Sequence, residues 1–77
     1  MSALRRGKVE SFDEEVGLGQ VRAGNGELYP FHCTEIAGGS RRISPGTEVT
    51  FEVAPGHLGV PEARSLTPLR QVTPLGQ

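Results

Sequence analysis

The spacing of glycine and proline limits what this chain can fold into more strongly than any other feature of its sequence. Its 77 residues include eleven glycines and six prolines, and the longest segment without either is the nine-residue stretch Lys8–Val16. Because both residue types destabilise the interior of a helix, no ordinary amphipathic helix fits between them. Short strands separated by turns do fit, so the sequence predicts an all-β fold.

Five short strands can be placed between the turn signals. Gly24-Asn25-Gly26 predicts a tight hairpin turn, since asparagine and glycine tolerate the positive φ that the favoured turns require. In the fourth strand apolar and polar residues alternate, which places Val49, Phe51 and Val53 on its inner face. The predicted elements are strands at about Gly7–Phe12, Gly17–Ala23, Glu27–His32, Thr47–Val53 and Val60–Thr67, with one helical turn at Cys33–Ile36.

A chain of this length forms one domain, 1–77, and five short strands favour a small closed barrel, because closure leaves no unpaired strand edge. We expect the barrel to occupy about residues 5–69 and the end of the chain, 70–77, to be frayed. The one tyrosine and the three phenylalanines are expected to belong to the core. The residues expected to be mostly buried are Val9, Val21, Tyr29, Phe31, Val49, Phe51 and Val53.

Charge, cysteine content and the lack of long apolar segments indicate the class of protein and its location in the cell. Eight Lys and Arg residues against nine Asp and Glu give a formal net charge of −1, whereas a dedicated polyanion binder usually carries a basic stripe. The single cysteine, Cys33, cannot form an internal disulfide, which suits a reducing cytosol. The first residues lack the apolar run of a signal peptide, and no segment approaches the length of a transmembrane span. We therefore expect a soluble, cytoplasmic protein with no membrane contact.

A set of short motifs follows in order along most of the chain. They are Gly7-Lys8-Val9, Phe12, Gly17-x-Gly19, His32, Pro45-Gly46, Val49-x-Phe51-Glu52-Val53 and Leu66-Thr67-Pro68-Leu69. This set, over about residues 5–69, resembles the bacterial cold-shock domain, and the segments YPFHCT and FEVAPGHLG resemble a divergent cold-shock-like group of actinobacteria. The resemblance implies a five-stranded antiparallel OB-fold barrel of the cold-shock type, which binds single-stranded RNA or DNA.

The resemblance also implies that the binding face is altered. The family carries exposed aromatics on strands 1 to 3 and in the loop after strand 3. On strands 2 and 3 they belong to motifs that read approximately K-G-F-G-F-I and V-F-V-H-F. At those aromatic positions this chain has Ser11, Leu18, Gln20, Pro30, Cys33 and, near the loop position, Ser40. His32 keeps its family identity. The alternation of side chains along a strand also indicates an altered binding face, since it places Tyr29 and Phe31 on the inner face and His32 on the outer face.

The predicted function is therefore that of a cold-shock-like nucleic-acid-binding protein with weak binding to single-stranded RNA or DNA on the face of strands 1 to 3. Base stacking on an aromatic side chain contributes about 1–3 kcal/mol per base, and a net charge of −1 cannot replace what is lost. The candidate contacts are Lys8, Leu18, Gln20, Pro30, His32, Arg41 and Arg42. The alternative is an OB-fold protein-interaction module that has lost nucleic-acid binding, with its partner site at the apolar spot of Leu18, Leu28 and Pro30.

Several of these residues allow two interpretations. His32 could stack on a base, donate a hydrogen bond or have no role at the end of its strand. Gly17 and Gly19 could let bases approach the backbone closely, or could let the strand bend around a small barrel, which we favour. The cations could contact nucleic acid or balance surface carboxylates; the cations are Arg5, Arg6, Lys8, Arg41 and Arg42, and the carboxylates are Glu10, Glu14 and Glu15.

No catalytic, metal or cofactor site is predicted. A nucleophile and a base in strand-compatible positions are missing, so we expect no enzyme. Cys33 adjoins His32, with His57 distant, but neighbours on a strand point to opposite faces and structural zinc sites prefer four spaced ligands. Cys33 is therefore expected to act as a small apolar side chain.

Overall fold

The computed structural model describes residues 4–39 and 41–69, and in this part of the chain five strands form one antiparallel sheet. The strands are β1 Leu4–Asp13, β2 Leu18–Ala23, β3 Leu28–His32, β4 Glu48–Pro55 and β5 Pro61–Pro68. Short 3-10 turns lie at Cys33–Glu35, Ala37–Gly39 and His57–Gly59. The all-β prediction is confirmed. The expected frayed end at 70–77 and the loop position Ser40 lie outside the described residues.

β1 starts three residues earlier than predicted because it serves two partners. Its first part, Leu4–Lys8, pairs with β4, and a longer part that reaches Asp13 pairs with β2. The register with β2 shifts between Val9 and Ser11, which places a bulge at Glu10. Bulges bend a strand and increase its twist, so β1 can pass from one partner to the other.

The sheet has the order β3-β2-β1-β4-β5, and it curls until its two edge strands, β3 and β5, contact each other. One isolated parallel bridge, between Ile36 and Leu66, joins the segment after β3 to β5. This is the arrangement of five antiparallel strands expected of the OB fold. Among the described residues no helix has the length and the apolar character needed to cross a membrane.

The core lies inside the curled sheet and is built mainly from alternate strand residues. Its buried members are Val9, Val21, Ala23, Tyr29, Phe31, Ile36, Val49, Phe51, Ala63 and Leu66. The Phe12 and Phe31 rings stack with centroids 5.8 Å apart, and Tyr29 and Phe51 meet at the same centroid distance in a tilted arrangement. Phe12 is half-buried and packs against the core. The aromatic residues thus line the interior, as the sequence predicted.

Val53 was predicted to be mostly buried, and it is partly buried, less completely than Val49 and Phe51. Val53 is only half-buried, although it packs against the core. The regular alternation of β4 fades after Phe51 because the register between β4 and β5 shifts between Thr50 and Glu52. Both of these residues, which alternation would place in solvent, are also half-buried.

Gly17, just before β2, and Gly19, its second residue, are both buried, and close packing surrounds each of them. A Cβ added at Gly19 would lie 2.6 Å from the Phe31 ring and 2.6 Å from the Ser11 carbonyl oxygen, a separation that real contacts do not reach. Gly17 has a φ of 73°, and a Cβ there would lie 3.0 Å from the Cys33 sulfur. The glycines therefore allow strands and rings to approach one another, and both are buried, while a bend of the strand at these glycines stays a prediction.

Candidate nucleic-acid interface

The outward surface of the first three strands, called here the β1–β3 face, carries most of the predicted contacts. Leu18 lies opposite His32, Gln20 opposite Pro30, and Arg22 opposite Leu28 across the β2–β3 ladder. Pro30 is half-buried and the other five are exposed, whereas Tyr29 and Phe31 between them are buried. The prediction that Leu18, Gln20, Leu28, Pro30 and His32 share one face is therefore confirmed.

Pro30 occupies a position where a strand can accept proline. The Cys33 N–H donates to the Gly17 carbonyl and the Ala23 N–H donates to the Glu27 carbonyl, each at 2.8 Å. Since hydrogen-bonded pairs alternate with non-bonded pairs in an antiparallel ladder, Pro30 falls in a non-bonded pair with Gln20. Its missing N–H therefore faces away from β2, on the side where β3 ends the sheet order.

A shallow hollow of about 350 Å³ lies in the middle of the β1–β3 face. The small side chain of Ser11 leaves this space open beside the Gly19 backbone, and Leu18 and Pro30 border it with apolar surface. Asp13 and Gln20 also border it and supply polar groups. The hollow has room for a planar group, but among its described lining residues only Phe12 is aromatic, and its ring packs on Phe31 below.

His32 has a structural role that the sequence did not reveal. Its Nδ1 accepts a hydrogen bond from the Thr34 N–H at 3.2 Å and lies 3.1 Å from the Thr34 hydroxyl oxygen. These contacts cap the 3-10 turn at Cys33–Glu35. Because Nδ1 accepts, the neutral ring carries its proton on Nε2, and the exposed imidazole can still donate from that atom.

His32→Asn and His32→Ala separate the capping role of this ring from its role as a contact. Asparagine is a good capping residue and alanine is not, so His32→Ala should lose stability near the low end of about 0.5–2 kcal/mol while His32→Asn stays close to wild type. Both should weaken oligonucleotide binding equally if the ring touches the ligand. Urea denaturation and fluorescence anisotropy measure the two effects. If only His32→Ala weakened binding, the ring would act through the turn alone.

The only short ion pair among residues 4–39 and 41–69 lies on this face. Glu10 Oε1 is 3.0 Å from Arg22 Nε, and Arg22 Nη1 donates to the Gly26 carbonyl, also at 3.0 Å. The hydrogen bond and the charge of Arg22 lower the pKa of the Glu10 carboxyl, and Glu10 raises the pKa of Arg22 in return. Arg22 was missed by the sequence analysis, although it follows Leu18 and Gln20 at the same period of two.

The predicted cations occupy different surroundings. Lys8 is exposed beside Arg22, its partner across the β1–β2 ladder. Arg42 lies 3.8 Å from Glu14, and with side chains 75% and 59% exposed this pair contributes little to stability. Arg41 is exposed in the loop before β4. The structure thus places Lys8 on the β1–β3 face, and it places Arg41 and Arg42 on the loop before β4. Arg42 lies next to the loop that follows β1.

Cys33 is half-buried and packs against the core, as expected of a small apolar side chain, but its sulfur also lies 3.9 Å from His32 Nδ1, so these two neighbours do not point to opposite faces. Within the described ranges, no group of three or more His, Cys, Asp and Glu residues could hold a metal ion. The His57 side chain is outside the described part of the structure.

Comparison with known proteins agrees with the fold and with the order of the motifs. Cold shock protein CspB of Bacillus caldolyticus is 36% identical over 67 residues, which cover 86% of this chain and the whole of that protein. Cold shock protein CspD of Bacillus subtilis is 34% identical over the same coverage. Cold shock-like protein CspE of Bacillus anthracis is 36% identical over 64 residues, 82% of this chain and 94% of that protein. No protein-family model matches the chain.

The five-stranded antiparallel sheet and its exposed β1–β3 face define a small OB-type protein. The similarity extends over nearly the full length of each relative, and all of those compared are cold shock proteins. The chain belongs to the cold-shock protein family.

Proposed function

We propose that this protein is a cytoplasmic, cold-shock-like nucleic-acid-binding protein that binds single-stranded RNA or DNA weakly through the β1–β3 face. Membership of the cold-shock family supports binding of this type. The observation that carries the proposal is the cross-strand arrangement of Leu18, Gln20, Pro30 and His32, which keeps an open face over buried aromatics.

Each candidate contact has a chemical role. Leu18 and Pro30 offer apolar surface to a base lying in the hollow, and the Gln20 amide can hydrogen-bond a base edge. His32 can stack on a base or donate from Nε2. Lys8 supplies a charge for the phosphates on the face itself. Arg41 and Arg42 would add phosphate contacts from their loop.

Two features make the binding weak. On the described part of the face no tyrosine or phenylalanine is exposed and Phe12 is half-buried, so apart from His32 the contribution of about 1–3 kcal/mol per stacked base is missing. The net charge is −1, and Arg22 is already engaged by Glu10. Phosphate attraction therefore relies on few cations.

Titration of a labelled single-stranded oligonucleotide over a series of salt concentrations tests the proposal. We expect measurable binding at low salt that weakens as salt rises, with a logarithmic slope of about 0.7 for each phosphate contact. Tight binding that hardly changes with salt would contradict the electrostatic part. No binding at low salt would favour the alternative, a protein-interaction module, for which Leu18 and Leu28, 50% and 41% exposed, provide the apolar surface.

Glu10→Gln should strengthen binding several-fold at low salt. The substitution removes the carboxylate that holds Arg22, so the guanidinium becomes available to a phosphate and the salt slope should rise by about 0.7. The matched control is Glu62→Gln, which makes the same change in net charge but releases Arg64 on β5, away from the face. Anisotropy titrations measure both variants. Equal effects of the two substitutions would mean that overall charge, and not Arg22, controls the affinity.

A further inference from the structure

A second concavity lies at the hairpin end of the β1–β3 face, where β1 passes from β2 to β4. Its volume is about 600 Å³, larger than that of the central hollow, and we call it the Arg6 pocket. Gly7, Val9 and Ala23 contribute to its lining between the charged side chains. Of the seven candidate contacts only Lys8 lines it, together with Arg6, for which the sequence left open a nucleic-acid contact or the balancing of a surface carboxylate.

Hydrogen bonds fix the walls of the Arg6 pocket in place. The Gly24 N–H donates to the Arg6 carbonyl at 3.2 Å, which ties the hairpin turn to β1. On the other side the Gly46 N–H donates to the Val9 carbonyl at 2.8 Å, and the Val9 N–H donates to the Thr47 carbonyl at 2.9 Å. Both turns that border the pocket are therefore attached to the same strand, and the pocket is formed before any ligand arrives.

Gly7 lies in the shallow floor of the pocket, where β1 is paired with a strand on each side. It lies opposite Ala23 of β2 and opposite Val49 of β4, so β1 is bonded on both sides at this point. A Cβ added at Gly7 would collide with the Arg22 carbonyl oxygen and would lie 3.1 Å from the Phe51 ring. Glycine is therefore required here by the close approach of the strands, and because a Cβ there would point toward the buried Phe51 ring, the floor of the pocket at this point is backbone.

Among the described residues, some charged side chains around the Arg6 pocket form ion pairs and others do not. Arg22 is paired with Glu10, but Arg6 and Lys8 take part in none of the ion pairs found in the described residues. Glu48 lies opposite Lys8 across the β1–β4 ladder and still forms no ion pair with it. Arg6 and Lys8 are two positions apart on β1, so both project from the same side of the strand. Two cations that form no ion pair within the described residues thus project over a concave surface with an apolar component.

We propose that the Arg6 pocket binds one further nucleotide of a single strand whose neighbouring nucleotides lie on the β1–β3 face. The inference rests on the proposed function. The lining, which is more apolar than polar, accepts a base or sugar, and Arg6 and Lys8 bind the phosphate that follows it. Glu10 and Glu48 can accept hydrogen bonds from an exocyclic amino group, while they repel ligands of high negative charge. One nucleotide within a strand carries a phosphodiester with a single negative charge. It can therefore donate hydrogen bonds to the carboxylates without the strong repulsion that a highly charged ligand would meet.

Arg6→Gln, with Arg5→Gln as the matched control, tests this assignment. The two residues are neighbours and the change in charge is identical, but alternate strand residues point to opposite sides, so Arg5 projects away from the pocket. The ligands are labelled oligodeoxynucleotides of about four and about eight nucleotides, within the range of site sizes of OB folds. The short one fits on the face, and the long one also reaches the pocket.

We expect Arg6→Gln to weaken binding of the longer oligonucleotide about three- to tenfold and to lower its salt slope by about 0.7. Binding of the shorter one should stay within about twofold of wild type, and Arg5→Gln should change neither. In NMR titrations the Gly24 amide should shift with the longer ligand only. Thermal melts establish that each variant is folded.

Two results would overturn the assignment. Equal weakening by Arg5→Gln and Arg6→Gln would indicate a general effect of charge, and equal weakening for both lengths would place Arg6 on the face itself. Failure of the proposed function looks different, because the wild-type protein would then bind neither oligonucleotide at low salt, and both proposals would fall together.

Discussion

The triple variant Leu18→Phe, Gln20→Phe, Pro30→Phe is expected to bind single-stranded oligonucleotides roughly a hundredfold more tightly than the wild-type chain. Each new ring contributes about 1–3 kcal/mol when a base lies over it. Contributions from neighbouring rings are not additive. A combined gain of about 3 kcal/mol is enough for a hundredfold increase in affinity, because a tenfold change in the dissociation constant corresponds to about 1.4 kcal/mol.

The structure favours these three positions. Leu18 and Gln20 are exposed on β2, and Pro30 lies directly opposite Gln20 on β3, so the new rings would form one continuous surface around the central hollow. Phenylalanine is a favourable strand residue. Pro30→Phe restores an N–H that faces away from β2, so the existing ladder keeps all of its hydrogen bonds.

Anisotropy at a fixed salt concentration measures the affinity, and circular dichroism verifies the fold. The matched control is Thr67→Phe, which exposes a ring on β5, outside the β1–β3 face, and should leave the affinity unchanged. Adding His32→Asn to the triple variant should weaken binding again, because the imidazole stands opposite position 18 at the end of the row. A folded triple variant with wild-type affinity would show that charge or loop shape, and not missing rings, limits this face.

Gly19→Ala should lower the free energy of unfolding by about 1–3 kcal/mol, the usual cost of forcing extra atoms into a packed core. The added methyl group would lie within 3 Å of the Phe31 ring, the Phe12 ring and the Ser11 carbonyl oxygen at once. Those two rings stack on each other, so neither can move without disturbing its partner. For a domain of this size the change corresponds to a fall of about 4–8 °C in melting temperature per kcal/mol.

Gly24→Ala is the control for this experiment. A Cβ at Gly24 would meet no atom within 4 Å, so only the general difference between glycine and alanine remains. Urea denaturation of the two variants and the wild-type protein gives the comparison. Equal stability of the two variants would mean that the core around Gly19 relaxes freely, contrary to the close packing described above.

The sequence predicted well those features that depend on neighbouring residues in one strand. The period of two placed Leu18 and Gln20 outside and Tyr29 and Phe31 inside, because one side of each strand must be buried. It was less accurate for the degree of burial of Val53, where a shift in pairing between β4 and β5 interrupts the alternation. Such shifts depend on contacts between distant segments and leave no mark in the local pattern.

The same limit applies to the candidate site. The Glu10–Arg22 pair requires the bulge that puts Glu10 between two regular positions of β1, and the sequence offers no sign of that bulge. The capping role of His32 was equally hidden, since histidine is not among the favoured capping residues. Lys8 could be assigned to the face because it belongs to a regular part of the same strand.

Pro30 also influences how this chain behaves beside copies of itself. β3 contacts β5 but forms no ladder with it in the described residues, so a second molecule could add a strand to the backbone groups of Leu28, Pro30 and His32 that point away from β2. The middle residue of this edge offers no donor. An incoming strand would leave one of its own carbonyls unpaired at the centre of the new ladder. The proline thus opposes edge-to-edge aggregation, and it does so beside an apolar spot that would otherwise favour the growth of a sheet across molecules.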